Sequence, residues 1–205
     1  MSFSALQRYT FYHDQIFTYF ATNTILLKTR RIVITGGPGT GKTTLITQLE
    51  ERGEAVLHEI SRQVTAEAQQ QGITQLFLED PTLFSSKLLE GRLAQFKEAE
   101  NFTDPHLFYD RGLPDVTAYM HYLNTPYEAY FDETCQQHRY DQVFLLPPWE
   151  AIYQQDNERY ESFTQALAIF QYLRKAYEGY GYAPIEVPTG TVPWRMAFIK
   201  DHLIE

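Results

Sequence analysis

The sequence predicts an α/β domain: a five-stranded parallel sheet with helices on both faces. Three observations predict it. Short apolar runs alternate with helical stretches from residue 31 to the end of the chain. The runs are apolar through their centres, as strands covered on both faces are. The first run, 31–35, leads directly into a glycine-rich turn and then a helix, which is how a right-handed strand–helix–strand crossover begins.

That turn is Gly36-Gly37-Pro38-Gly39-Thr40-Gly41-Lys42-Thr43-Thr44, set between Ile32-Val33-Ile34 and Leu45-Ile46-Thr47-Gln48-Leu49. Gly36, four intervening residues, Gly41, Lys42 and Thr43 satisfy the phosphate-loop (Walker A) pattern, so the expected fold is that of a P-loop NTPase. Each residue type has a reason to be there. Glycines let main-chain N–H groups close around phosphate oxygens, because no Cβ blocks positive φ. The helix starting near Gly41 aims unpaired N–H groups and its positive dipole end at the same anion. Lys42 brings a point charge to the outer phosphates. The Thr43 hydroxyl can hold Mg²⁺. A chance match in a chain of this length has odds on the order of one in a hundred, and the strand-before, helix-after context lowers them. The expected ligands are ATP, with GTP as the other candidate, and Mg²⁺. Lys42 is expected to be partly exposed.

The remaining elements follow in order. A helix over 42–52 stops at Gly53. A second strand over 55–58 delivers Glu59 and Arg62 to its carboxyl end, and a helix runs from Ser61 to about Gln70. Asp80-Pro81 opens a longer helix to about Glu100, with Leu83, Phe84, Leu88, Leu89, Leu93 and Phe96 as its buried stripe. A third strand over 107–109 ends in Asp110-Arg111-Gly112, and Pro114-Asp115 starts another helix. The fourth strand, 142–146, is stopped by Pro147-Pro148 and followed by a charged segment, 154–161. The next helix runs to about Glu178, with Phe163, Leu167, Phe170, Leu173 and Tyr177 inward, and stops at Gly179. A last strand, 184–187, precedes a helix capped by Thr191 with Pro193 in its first turn.

Residues 1–22 stand apart as an aromatic-rich arm, leaving 23–205 as the nucleotide-binding domain. Leu6, Tyr9, His13, Ile16, Phe17 and Phe20 fall at helical spacing. Such an arm either packs on its own domain or is exchanged with a second subunit in a homodimer.

Composition bounds the function. The 205 residues suit one core, and 43% hydrophobic content is that of a globular chain. A net charge of −9 argues against a duplex nucleic-acid partner and against adhesion to an anionic membrane. The single cysteine, Cys135, excludes an internal disulfide and fits a reducing, cytoplasmic setting. No apolar run reaches membrane-spanning length. The six histidines show no metal-ligand spacing.

In parallel α/β sheets ligands sit beyond the carboxyl ends of the strands. That rule gathers the candidates. Asp110 ends a strand and can reach Mg²⁺ or its water shell; the alternative is a helix N-cap. Arg111 can clamp a substrate anion, or bridge to Asp115 or another acid. Glu59 can accept a proton from a substrate hydroxyl, or serve as an acid at a helix start. Arg62 can bind a substrate anion or be a solvated helix charge. Arg159 lies where a mobile lid could bring it onto a transferring phosphate; the alternative is pairing with Glu158 or Glu161.

At these residues the chain resembles the small AAA-domain predicted ATPases. The resemblance rests on the loop with its preceding strand, on Glu59, and on Asp110-Arg111-Gly112-Leu113-Pro114-Asp115. It also rests on Arg139-Tyr140-Asp141, Leu145-Leu146-Pro147-Pro148-Trp149, Asp156-Asn157-Glu158-Arg159, and Gly181-Tyr182 through Val187-Pro188. That family is similar to the kinase domain of nicotinamide riboside kinase and to deoxynucleoside and thymidylate kinases. The resemblance spans about residue 30 to the end. It implies a kinase-like sheet with the third strand beside the phosphate-loop strand, a lid around Arg159, and a base-binding turn at Pro188 and Thr189. The function expected is a Mg²⁺-dependent ATP-binding phosphotransferase acting on a small nucleoside- or nucleotide-like metabolite, with Lys42, Glu59, Asp110 and Arg159 at the reaction centre. The rival is an ATP- or GTP-operated binding protein with slow hydrolysis.

Overall fold

Apolar strands joined by helical crossovers must pair in parallel and be covered on both faces. The computed structural model, which describes residues 28–153 and 161–204, has this arrangement. Strands β1 (Arg30–Gly36), β2 (Ala55–Leu57), β3 (His106–Asp110), β4 (Gln142–Leu146) and β5 (Ile185–Glu186) form one parallel sheet in the order β2-β3-β1-β4-β5. The helices are α1 (Lys42–Glu51), α2 (Ser61–Gln70), α3 (Leu76–Glu79), α4 (Pro81–Glu98), α5 (Leu113–Tyr122), α6 (Tyr130–Gln137), α7 (Phe163–Gly179) and α8 (Val192–Asp201). The third strand does lie beside β1. After α1 the chain crosses to the edge strand β2 and returns through β3; after β3 it passes to the other side of β1. The carboxyl end of β1 therefore opens at the switch point where such sheets bind ligands.

Alternation along the strands divides the core in two. Ile32, Ile34, Phe108, Phe144 and Leu146 face α1 and α8, meeting Leu45, Ile46, Leu49, Met196 and Ile199. Val33, Leu107, Tyr109 and Val143 face the other way, against Leu88, Leu89, Leu113, Val116, Phe131 and Tyr177. No helix among the described residues is long and apolar enough to cross a membrane.

The helix ends follow local chemistry. The Asp80 carboxylate accepts from the Leu83 N–H at 2.8 Å, with Pro81 in the first turn. Ser162 and Gln165 form a capping box at α7. Two stripes differ from expectation. In α4, Leu83 is exposed and Arg92 is buried on the same face as Leu88 and Leu89. In α7, Leu167 is exposed, while Ala166 and Ile169 join Phe170, Leu173 and Tyr177 inside. Arg92 finds acceptors inside, in Glu59 and the Gly112 carbonyl, which periodicity alone does not register. Helices α3 and α6 were not expected. Helix α6 buries only Phe131 and Cys135, one i, i+4 pair among polar residues, too few to signal a stripe. The arm 1–22 and residues 154–160, Arg159 among them, lie outside the described residues.

The turn between β3 and α5 is packed to contact. A Cβ on Gly112 would stand 2.7 Å from Tyr177 Oη, 3.0 Å from Tyr140 Cε2 and 3.2 Å from Val33 Cγ2. Gly112→Ala is expected to destabilise the domain by about 1–3 kcal/mol through overpacking, lowering the urea midpoint. An unchanged midpoint would show that this turn has room to spare.

Candidate active site

The loop after β1 has the shape its glycines permit. Gly39 and Gly41 hold φ of 69° and 72°, in the left-handed region. Gly36 and Gly37 are placed by close approach instead: a Cβ would meet the Leu146 carbonyl oxygen at 2.9 Å in the first case and Ile169 Cγ2 at 3.0 Å in the second. The Thr40 hydroxyl donates to the Gly37 carbonyl at 3.0 Å and closes the turn. Pro38 is half-buried at its tip. Thr43 and Thr44 are exposed on the first turn of α1. The 149–153 segment leans on the loop, since the Trp149 N–H donates to the Gly39 carbonyl at 2.9 Å and the Tyr153 ring packs on Gly39.

Lys42 is 8% exposed, so it is buried rather than partly exposed as its loop position suggested. The reason is Asp110, with which its ammonium forms a buried ion pair. The strand register produces this meeting: Asp110 stands opposite Ile34, two residues before β1 ends. Burial pushes the Lys42 ammonium below the usual lysine range, and the charge of Arg111 adds to that. Asp110 pulls the other way. Asp110 is not the N-cap of α5; Gly112 stands there, and Asp115 in the first turn accepts its N–H at 3.0 Å.

β2 and β3 are neighbours, so Glu59 and Arg111 emerge side by side. The Glu59 carboxylate is paired with Arg111 and accepts from Arg92 Nη2 at 2.9 Å. It also receives the Ser61 N–H at 3.3 Å, so the helix-start reading holds alongside the ion pairs. Burial alone would raise its pKa; Arg92, Arg111 and Lys42 outweigh that and hold it at about 2. Arg111 makes the acid bridges that were the second expectation for it, pairing with Glu59 and reaching Asp115 Oδ1 at 3.2 Å. Its guanidinium lies 5.5 Å from the Tyr119 ring centroid. It holds φ of 76°, an outlying conformation for a residue with a Cβ and one that clusters at functional sites.

Arg62 is exposed on the first turn of α2. Pro188 and Thr189 form the turn between β5 and α8, with Thr189 exposed. Sequence reasoning missed Arg92, which sits four residues after Leu88 on a face read as apolar; that spacing was the available signal. It also missed the buried Arg195 of α8, whose Nη1 donates to the Thr40 carbonyl at 2.8 Å, and for which no local pattern offered a signal.

The AAA-domain sequence profile matches residues 31–195. The chain belongs to this AAA-domain family. No curated protein matches it by sequence. Solved structures show what the AAA-domain chain is similar to in fold. A deoxyadenosine kinase from M. mycoides, bound to the products dCMP and a flexible dCDP, superposes with a TM-score of 0.62 at 17% identity, covering 83% of this chain and 97% of that one. The NadR protein in complex with NAD and AMP-PNP gives 0.61 at 18% identity, covering 87% of this chain and 51% of that one. A thymidylate kinase from Ehrlichia chaffeensis gives 0.56 at 14%, covering 84% and 97%. The fold is thus a P-loop, kinase-like one.

Lys42→Ala leaves the Asp110 carboxylate buried without its cation, and is expected to cost about 3 kcal/mol of stability. The double variant Lys42→Met with Asp110→Asn is expected to regain most of it, which a denaturant series on all three proteins checks. Glu59 supplies a second test. Its pKa is depressed from 4.5 to about 2, so its contribution to stability is complete above pH 4.5 and is lost as pH falls through that window. Melting temperature followed across those pH values should fall less steeply in Glu59→Gln than in the wild type; parallel curves would contradict the pairing.

Proposed function

We propose that this protein is a Mg²⁺-dependent phosphotransferase that moves the γ-phosphoryl group of ATP to a hydroxyl or phosphate of a small nucleoside- or nucleotide-like metabolite. The observation that carries the reading is the Glu59 carboxylate, clamped by two arginines next to Lys42 and Asp110 instead of turned to solvent. A nucleotide-operated switch needs the loop but has no use for a clamped carboxylate and an arginine pair beside it. A phosphotransferase needs a group to orient the acceptor hydroxyl and cations to hold an acceptor anion. The kinases among the structural relatives support an acceptor of this class.

In this reading the main chain of 36–44 and Lys42 hold the phosphates. Thr43 and Asp110 would hold Mg²⁺, an exposed hydroxyl and a carboxylate being the hard oxygen donors the ion takes, and the ion would neutralise charge on the phosphate oxygens. The Lys42–Asp110 pair keeps both groups at the mouth of the loop; a bound nucleotide draws Lys42 to its phosphates and frees the carboxylate. Glu59, with a pKa near 2, accepts a hydrogen bond from the acceptor hydroxyl and sets its direction of attack, since a loose phosphoryl-transfer transition state asks little of a base. An acceptor anion that drew Arg111 away would make Glu59 more basic at the moment it is needed. Arg111 and Arg62 would hold that anion, Arg159 would supply a further cation to the transferring phosphate, and the Pro188–Thr189 turn would take the nucleotide base.

A thermal-shift screen of nucleosides and nucleotides with an ATP analogue and Mg²⁺ identifies the acceptor, because a true ligand raises the melting temperature by mass action. With that acceptor, Glu59→Gln is expected to lower phosphoryl transfer by about a hundredfold or more while ATP affinity stays within about twofold. Coupled measurement of ADP release checks the rate. An undiminished rate in the variant would refute the role of Glu59, and with it the phosphotransferase reading.

A further inference from the structure

Arg195 is a cation that the fold sets against the phosphate loop with its charge unanswered. It lies near the start of α8 and is 2% exposed. Its Nη1 is spent on the Thr40 carbonyl, whereas Nε and Nη2 are buried and have no hydrogen-bond partner among the described residues. Among the described residues no carboxylate pairs with it. Two other arginines near the loop, the buried Arg92 and the half-buried Arg111, differ in this respect, since both are paired with Glu59. Burying a guanidinium with a single carbonyl acceptor and no counter-ion is unfavourable, so an arrangement of this kind points to a group that completes it.

The unused edge says which group. Nε and Nη2 form a planar two-donor fork, which matches two oxygens of a phosphate. Its position says where. Nη1 lies 3.0 Å from the point a Cβ on Gly41 would occupy, beside the first turn of α1 where main-chain N–H groups converge. Ile152 Cδ1 lies 3.2 Å from the same point, so the 149–153 segment packs at this place as well.

We propose that Arg195 is a further phosphate ligand of the loop, its Nε–Nη2 edge binding the phosphate chain of the nucleotide from the α8 side. This rests on the nucleotide-binding reading above. It adds a bidentate contact to the point charge of Lys42, and it couples the turn ahead of α8 to phosphate occupancy.

Calorimetric titration of ADP and of inorganic pyrophosphate into the wild type, Arg195→Met and Arg195→Lys tests it, with the melting temperature of each unliganded protein as a control. Arg195→Met is expected to weaken ADP and pyrophosphate alike by at least about tenfold. Its unliganded melting temperature should be no lower than that of the wild type, because an unpaired buried charge has been replaced by an apolar chain of similar length. Arg195→Lys keeps the charge but not the fork, and should weaken pyrophosphate several-fold; if the methionine variant does not fold, this variant decides. Wild-type affinity in the variants overturns the proposal, as does a lowered melting temperature with unchanged affinity, which would make Arg195 only a brace for the Thr40 carbonyl. A wild type that binds neither probe refutes nucleotide binding at the loop, and this proposal with it; a wild type that binds while the variants bind equally refutes the role of Arg195 alone.

Discussion

The site depends on one buried carboxylate. Asp115 has no solvent exposure, a condition that is costly for a charge unless its lone pairs are all used. They are used: Thr35 Oγ1 and Tyr177 Oη donate at 2.6 Å each, the Gly112 N–H at 3.0 Å and Arg111 Nη1 at 3.2 Å. Those donors come from the end of β1, from α7 and from the turn between β3 and α5. A single group therefore fixes three elements against one another at the carboxyl edge of the sheet. Hydrogen bonds to a charged acceptor are stronger than neutral ones and lose more when bent, so the arrangement has little freedom.

The rest of the site follows from that anchor. Arg111 is held by Asp115 on one side and by Glu59 on the other, and its N–H continues the ladder to the Ile34 carbonyl at 3.1 Å. These contacts offset the cost of its left-handed backbone, on the order of 1–2 kcal/mol for a residue with a Cβ. Glu59, fixed by Arg111, also receives Arg92 from α4, and Arg92 Nη1 returns to the Gly112 carbonyl at 3.2 Å. The circuit closes on the turn from which it started. Lys42 and Asp110 complete a set in which three cations face three carboxylates. A balanced set of this kind is organised before any ligand arrives, which is what electrostatic catalysis requires. In the proposed function a ligand's charge would enter by exchange, each phosphate oxygen that takes a cation leaving a carboxylate free for another partner.

Much of the fold was legible because its signals are local. The apolar runs located all five strands, Gly53 and Gly179 marked helix ends, and Asp80-Pro81 and Thr191 marked helix starts. Errors fell where a helix face is decided by what it meets. Leu83 and Leu167 have the right spacing for burial yet stand exposed, while Arg92 has the wrong chemistry for an apolar stripe and two waiting acceptors, Glu59 and the Gly112 carbonyl. Helix α6 was missed because one pair of inward side chains does not make a period.

By itself the sequence determined the phosphate loop, the parallel α/β sheet around it, and the presence of Glu59, Asp110 and Arg111 at the strand ends. Glycine positions, apolar period and strand–helix alternation are properties of neighbouring residues, and backbone hydrogen bonding translates them directly into structure. Only the tertiary structure decided which charge answers which. Thr35 meets Asp115 across 80 positions, Tyr177 meets it across 62, and Arg195 reaches Thr40 across 155. Pairings at such separations leave no periodic trace in the chain, because they are selected by the cost of burying a charge alone, and that cost exists only once the sheet and helices have closed around it.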